Sequence, residues 1–361
     1  KLTPQIIANF YNIADKRTEG NRQVVATFKG VGGRYNSFQR APELIGIVDR
    51  SLVKSTELYT EDDIMAFPFQ TEVSLQEWHY KKGAGYRSAE EIITRLMQNV
   101  SRNGCLLLNI TQRGRGNIDD EARQICLDIG RWIDINKEAI YSARPFTQWG
   151  DNEVIYTRQG GCIYATILHP KGEAITLPPL SSLSASVGKI TKVEWVEGDK
   201  SLPFTQSAEG LTIQMGETTT TQGIHDRKLA QGYKVIRITH DKAWFNDDDP
   251  GVRTFGWDRQ CKTHEGDFNN DLSFSTQVGD TWTVNIDHSR GFTIVAPQGM
   301  CEGEMEVRID GKHAGHVSFV KSDDVKHQSI VFTSKKLRKS THEIQLVNKR
   351  GMIALDALIV R

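Results

Sequence analysis

The sequence predicts an α/β segment up to about residue 146, followed by two all-β segments. Three observations carry this. Before residue 147, helical patterns alternate with short apolar strands. After it no helical pattern appears, and short strands follow one another between turn-rich pieces. The run "DDDPG" at 247–251 then divides the second part. Alternating strand and helix implies a parallel sheet flanked by helices, and short strands spaced by turns imply antiparallel sandwiches. The predicted domains are 1–146, 147–246 and 247–361.

Each element has a local reason. In "TPQIIANFYNIADK", Thr3 serves as N-cap and Pro4 as first helical residue, with Ile6, Ile7, Phe10, Tyr11 and Ala14 on one face. "QVVATFKG" is a short apolar run suited to a buried strand ending at Lys29. "VSLQEWHY" alternates apolar and polar residues and predicts a strand running into Trp78, His79 and Tyr80. "SAEEIITRLMQNVSRNG" predicts a helix with a Ser88–Glu91 capping box and Gly104 just past its end. "CLLLNIT" is a strand. "DDEARQICLDIGRWIDINKEAIY" is a helix, with Ile125, Leu127, Ile129, Trp132 and Ile133 available for its inner side. Beyond 147, "EVIYTRQ", "CIYATILHP", "KITKVEWVEG", "LTIQM" and "YKVIRITHD" predict one set of strands. "TWTVNID", "GFTIVAP", "EMEVRIDGK", "QSIVFTS", "THEIQLVN" and "ALDALIVR" predict another.

Composition narrows the classes. A length of 361 residues suits two or three domains. Zero formal net charge and scattered lysines predict no nucleic-acid partner. No apolar run approaches the roughly 18 residues of a membrane span. The five cysteines, Cys105, Cys126, Cys162, Cys261 and Cys301, form no CxxC motif and read as buried free thiols. Asp247, Asp248 and Asp249 precede Pro250 as a calcium-like cluster or, more simply, a solvated turn. Trp257 and Trp282 read as sugar platforms or as core.

One run carries more. "VSRNGCLLLNITQRGRGNIDDEARQICLDIGRWIDINKEAIYSARPF" resembles the last strand and helix of the catalytic barrel in glycoside hydrolase family 29, the α-L-fucosidases. Val100, Ser101, Gly104, Leu106, Leu107, Leu108, Asn109, Gly116, Ile118, Gly130, Trp132, Glu138, Ala139, Ile140 and Tyr141 fit that family's pattern. Gln112 stands where the family usually has proline, and Arg115 where it usually has aspartate. "FPFQTEVSLQEWHY" is similar to the family segment ending in serine-tryptophan-glycine-tyrosine, with His79 in place of the glycine. "VVATFKG" resembles the strand before it, and "IVDRS" the stretch that carries a glutamate in many members. The resemblance covers about residues 3–146. More loosely, the last segment resembles sandwich domains of carbohydrate-binding type appended to bacterial glycosidases.

The resemblance implies the C-terminal half of a (β/α)8-type barrel followed by two antiparallel β-sandwiches. It implies an exo-acting, retaining α-L-fucosidase acting on fucosylated glycans, with no metal or cofactor. Retaining glycosidases pair a nucleophilic carboxylate with a general acid/base. The family's nucleophile is an aspartate on an earlier strand, so it is expected on an N-terminal segment or second polypeptide. Asp134 and Asp258 have tryptophans nearby but lie in the last barrel helix and the β region. Asp49 occupies the acid/base position, with Glu57 and Glu43 as alternatives. Lys29, at a strand end, and Arg34 are candidate cationic contacts to the sugar, and Trp78, with Tyr80 beside it, is a candidate wall for the deoxysugar's methyl group. The structural alternatives are a solvated Asp49–Arg50 pair, a solvated lysine and a core tryptophan. Also open are a non-catalytic carbohydrate-binding protein on an eroded barrel and a hydrolase acting on sulfated or internal fucosides. The implied setting is secreted or periplasmic, or lysosome-like.

Overall fold

The computed structural model describes residues 3–17, 25–29, 52–65, 68–159, 161–170, 172–184, 187–216, 233–241, 243–245, 252–261, 271–338 and 340–360. The chain falls into two compact units, 1–131 and 132–361.

The first unit is built on four parallel strands in sequence order: β1 (Ala26–Lys29), β2 (Leu52–Glu57), β3 (Phe69–Ser74) and β4 (Gly104–Asn109). Its helices are α1 (Thr3–Arg17), α2 (Ala89–Val100) and α3 (Asp120–Asn136), the last of which runs across the division at 131. Ser88 caps α2, its hydroxyl accepting from the Glu91 amide at 3.1 Å, while Glu91 itself pairs with Arg87 and Arg95. The inner stripe of α2 is Ile92, Ile93, Met97 and Val100. Buried Thr71 of β3 donates to the Asn99 side chain at 2.6 Å, so that face of the sheet lies under α2.

The opposite sheet face carries Ser55, Gln70, Glu72, Cys105 and Leu107, as the register dictates. Cys105 is exposed and Leu107 is 44% exposed. On α1, Ile7, Tyr11 and Ala14 are half-buried, the Tyr11 hydroxyl accepting from the Ala26 amide of β1 at 3.1 Å, while Ile6, Phe10 and Ile13 are exposed. Among the described thiols, Cys301 alone is buried; Cys126 and Cys162 are intermediate. The expectation of buried thiols therefore fails for Cys105, which lies exposed on the edge strand β4.

Two local readings change. The strand is "FQTEVS", not "VSLQEWHY": after Ser74 the chain bends, and Trp78, His79 and Tyr80 lie in a loop. The left-handed residue after α2 is Asn103 at φ 72°, not Gly104. Gly104 instead opens β4 opposite Phe69, whose ring would lie 2.4 Å from any Cβ there.

The second unit is β-rich, its strand pairs antiparallel. β5 (Arg144–Gly150), β6 (Val154–Gln159), β7 (Cys162–Ile167), β8 (Ala174–Leu177), β9 (Ile190–Trp195), β10 (Phe204–Gln206), β11 (Leu211–Gln214) and β12 (Lys234–His240) form two sheets, β5-β6-β7-β12-β9 and β10-β11-β8. Phe146, Tyr156, Leu177, Leu211 and Ile236 from both sheets share one core. Within this unit Trp132 donates to the Tyr233 carbonyl and Glu138 pairs with Arg237 of β12.

The remaining strands are β13 (Ala243–Phe245), β14 (Arg253–Phe255), β15 (Asp258–Cys261), β16 (Asp271–Ser275), β17 (Thr281–Ser289), β18 (Phe292–Gln298), β19 (Gly303–Ile309), β20 (Lys312–Phe319), β21 (Lys326–Thr333), β22 (Ser340–Gly351), β23 (Ile353–Leu355) and β24 (Ala357–Val360). They form the sheets β13-β24-β18-β21, β14-β17-β22-β19-β20 and β15-β16-β23 around a second core. Trp282 is fully buried in that core and Trp257 packs against it, so both take the core reading. Among the described residues no helix is long and apolar enough to cross a membrane.

Candidate functional site

Because the four strands of the first unit are parallel, Lys29, Glu57, Ser74 and Asn109 all stand at one edge of the sheet. In α/β enzymes this C-terminal edge is where functional groups gather. Just beyond it, the loops after β3 and β4 border an open cavity of about 430 Å3, lined by Trp78, His79, Tyr80, Asn109, Thr111 and their neighbours.

The loop after β3 is held by side chains rather than by a ladder. Asn109, at the end of β4, donates to the Ser74 hydroxyl at 2.9 Å and to the Trp78 carbonyl at 3.2 Å. Ser74 in turn donates to the Glu77 carbonyl at 2.5 Å. Arg87 donates to the carbonyls of Ser74 and Gln76 at 2.6 and 3.0 Å. Buried Gln76 donates to the Ala84 carbonyl and accepts from the Lys81 amide. Gly83, at φ 80°, makes the left-handed turn that brings the loop back. These bonds hold residues 75–87, of which Trp78, His79 and Tyr80 line the cavity.

The loop after β4 is fixed from the other side. The Arg113 guanidinium lies 5.8 Å from the Tyr80 ring centroid and 3.6 Å from Asp119. Asp119 accepts from the Ala122 amide at the start of α3 and from the Tyr86 hydroxyl at 2.7 Å. The Ala122 amide, then the Tyr86 hydroxyl, hold the Asp119 carboxyl below its usual range. Burial and the Asp119 bond push Tyr86 up to about 12, so its phenol stays protonated and keeps donating. Thr111 is buried, and its hydroxyl has no hydrogen-bond partner.

Of the residues singled out in the sequence, Trp78 and Tyr80 come together at this cavity. Glu57 ends β2 and is exposed; it does not line the cavity. Lys29 ends β1, but its side chain lies outside the described residues, as do Arg34, Glu43, Asp49 and Asp247–Asp249. Sequence reading missed Glu72, which stands in register beside Glu57 on the sheet face opposite α2 and accepts from Ser55 at 2.7 Å. The signal was present in "FQTEVS", where Gln70, Glu72 and Ser74 alternate with Phe69, Thr71 and Val73. Asn109, Gln76, Arg87 and Arg113 were missed as a set, because their roles depend on long-range geometry. Among the described residues no group of three or more His, Cys, Asp or Glu could hold a metal ion.

Comparison with known proteins adds to this geometry. The family model described as Alpha-L-fucosidase matches residues 19–138. Tissue alpha-L-fucosidase of Homo sapiens is 35% identical over 136 residues, 36% of this chain and 28% of that protein. The Bos taurus counterpart is 31% identical over 148 residues, 40% and 31% of the two chains. Among solved structures, alpha-L-fucosidase isoenzyme 1 from Paenibacillus thiaminolyticus superposes with a TM-score of 0.45 at 16% identity, over 63% of this chain and 60% of that one. The chain spans about three tenths of the length of these curated relatives.

Proposed function

We propose that the chain, whose residues 19–138 match the alpha-L-fucosidase family model, is part of a retaining, exo-acting α-L-fucosidase that removes terminal α-linked L-fucose from glycans. The observation that carries this is the cavity at the C-terminal edge of the parallel sheet, walled by Trp78 and Tyr80. A 6-deoxy sugar offers a methyl group and an apolar ring face, and aromatic walls stabilise both by ordinary burial.

On this reading the first unit is the C-terminal half of a (β/α)8-type barrel, and the β-rich unit holds two sandwich domains. The exposure of Cys105 and Leu107 on one face of the parallel sheet, and of Ile6, Phe10 and Ile13 on α1, supports a further layer. That layer comes from an N-terminal segment or a second polypeptide carrying the nucleophilic aspartate. The nucleophile attacks the anomeric carbon while the general acid protonates the leaving oxygen. Water, deprotonated by the same group, then hydrolyses the fucosyl-enzyme with net retention. Asp49 takes the acid/base role, with Glu57 as the alternative, and Lys29 and Arg34 hold sugar hydroxyls. A secreted or periplasmic setting goes with this substrate.

The test is hydrolysis of an aryl α-L-fucoside by the full-length protein, with the anomer of the released sugar followed by NMR. Retention supports the reading. Binding of fucose without turnover would favour a carbohydrate-binding protein on an eroded barrel. Asp49→Asn should slow turnover of natural glycosides far more than that of activated aryl fucosides; equal loss on both, or none, would remove Asp49 from the role.

A further inference from the structure

Charge around the cavity mouth is biased toward cations. The stretch Trp78–Gly83 carries His79, Lys81 and Lys82, and the stretch Thr111–Gly116 carries Arg113 and Arg115, with Glu77, Asp119 and Asp120 as the flanking acids, although the whole chain has zero formal net charge. His79 lines the cavity itself. Arg113 sits between the lining residues Gln112 and Gly114, with its guanidinium carbon 5.8 Å from the centroid of the Tyr80 ring. Its side chain remains 45% exposed. Asp119, at 3.6 Å, is the carboxylate beside it, and that group already accepts from Tyr86 and the Ala122 amide. Lys81, Lys82 and Arg115 are exposed.

We propose that this rim selects a fucoside bearing an anionic substituent, a sulfate ester or a carboxylate, with Arg113 as the specificity-determining residue. The inference rests on the fucosidase reading and deepens it. A guanidinium presents planar paired donors that match a sulfate or carboxylate edge. Arg113 is already oriented by Tyr80, so less freedom is lost when the anion docks. The remaining cations add a positive field that concentrates anionic substrate at the mouth and weakens as salt rises.

The experiment compares kcat/KM of the full-length protein for neutral, sulfated and carboxylate-bearing aryl α-L-fucosides at low and high NaCl. The expected result is a preference of about tenfold or more for one of the anionic forms, the magnitude of one charge-assisted hydrogen bond, shrinking with salt. Arg113→Gln should bring the anionic-to-neutral ratio close to one. The ratio is the readout because general damage to the fold lowers both rates together. If Arg113→Gln does not fold, the double variant Lys82→Gln/Arg115→Gln should lower the same ratio severalfold. Preference for sulfate over carboxylate identifies a sulfated glycan, and the reverse a carboxylated one. A ratio at or below one in the unsubstituted protein overturns the inference and leaves the fucosidase reading standing. If no fucoside is turned over, that reading fails, and NMR titration with sulfated and neutral L-fucose decides the rim alone: tighter sulfated binding supports it, and equal binding sinks it.

Discussion

Asn109 shows how much of this site rests on single polar side chains. Its carboxamide ties the end of β4 to Ser74 and to the Trp78 carbonyl, at 2.9 and 3.2 Å. Asn109→Asp keeps the shape but removes both N–H donors. We expect backbone amides in 75–87 to exchange faster, and stability to fall by about 1–2 kcal/mol, the usual scale of a broken partly buried hydrogen-bond pair. If the loop supplies the sugar wall, KM for an aryl fucoside should rise with little change in kcat. Unchanged exchange in 75–87 would show that the loop does not depend on this residue. Sequence patterning could place Trp78 and Tyr80 near a strand end, because aromatic residues there are unusual. It could not show that Asn109 reaches across to the Trp78 carbonyl, since that bond joins residues 31 apart in the chain.

At the scale of elements, the β-rich half was legible where strands were apolar and alternating, as in β6, β7, β12, β18 and β22. It was not legible in β20, "KHAGHVSF", whose polar face hides the period. β3 was read too far along because "VSLQEWHY" alternates by coincidence while its backbone is bound by Ser74, Gln76, Arg87 and Asn109. Gly104 was read as a helix stop, yet its use is to leave room for Phe69. Gly104→Ala should therefore cost about 1–3 kcal/mol by overpacking a ring that is 1% exposed, measured by denaturant unfolding; a neutral result would mean Phe69 moves aside freely. Across β19 and β22 two titrating groups set opposite limits. The Arg308 hydrogen bond, helped by His313, draws Glu306 from its ordinary 4.5 down to about 2. Its contribution is therefore present above about pH 4.5 and lost as pH falls toward 2. His342 faces Asp310 and the Arg338 carbonyl, which raise its pKa in that order. Its contribution is full below the ordinary histidine value and is lost as pH rises through the raised one. Melting temperature against pH should thus lose its acid dependence near pH 2–4.5 in Glu306→Gln, and its step on the alkaline side of the ordinary histidine pKa in His342→Asn.

For the whole molecule, the decisive feature is what the parallel sheet leaves exposed. One face packs under α2 through Thr71, Phe69 and Val73, all essentially buried, while the other presents Cys105 and Leu107 to solvent. Among the described residues, Ser55 and Ser74 are buried on that face while its β4 positions Cys105 and Leu107 stay exposed, whereas parallel sheets are ordinarily covered on both sides. Barrel closure would turn that face into a packed interior. Cys105 gives a direct probe, because it sits in register with Gln70 on that face, near the start of the edge strand β4. In residues 1–361 alone, Cys105 should react with a thiol reagent at mildly alkaline pH, since burial around its sulfur raises its pKa, while buried Cys301 reacts only on unfolding. Once the proposed first half of the barrel is supplied, as the native N-terminal segment or as a second chain, Cys105 should become protected by orders of magnitude while Cys301 is unchanged. Mass-spectrometric mapping of the labelled peptides distinguishes the two sites. Equal labelling of Cys105 with and without the added segment would mean that the segment does not close over this face, and the half-barrel reading, with its borrowed nucleophile, would have to be given up.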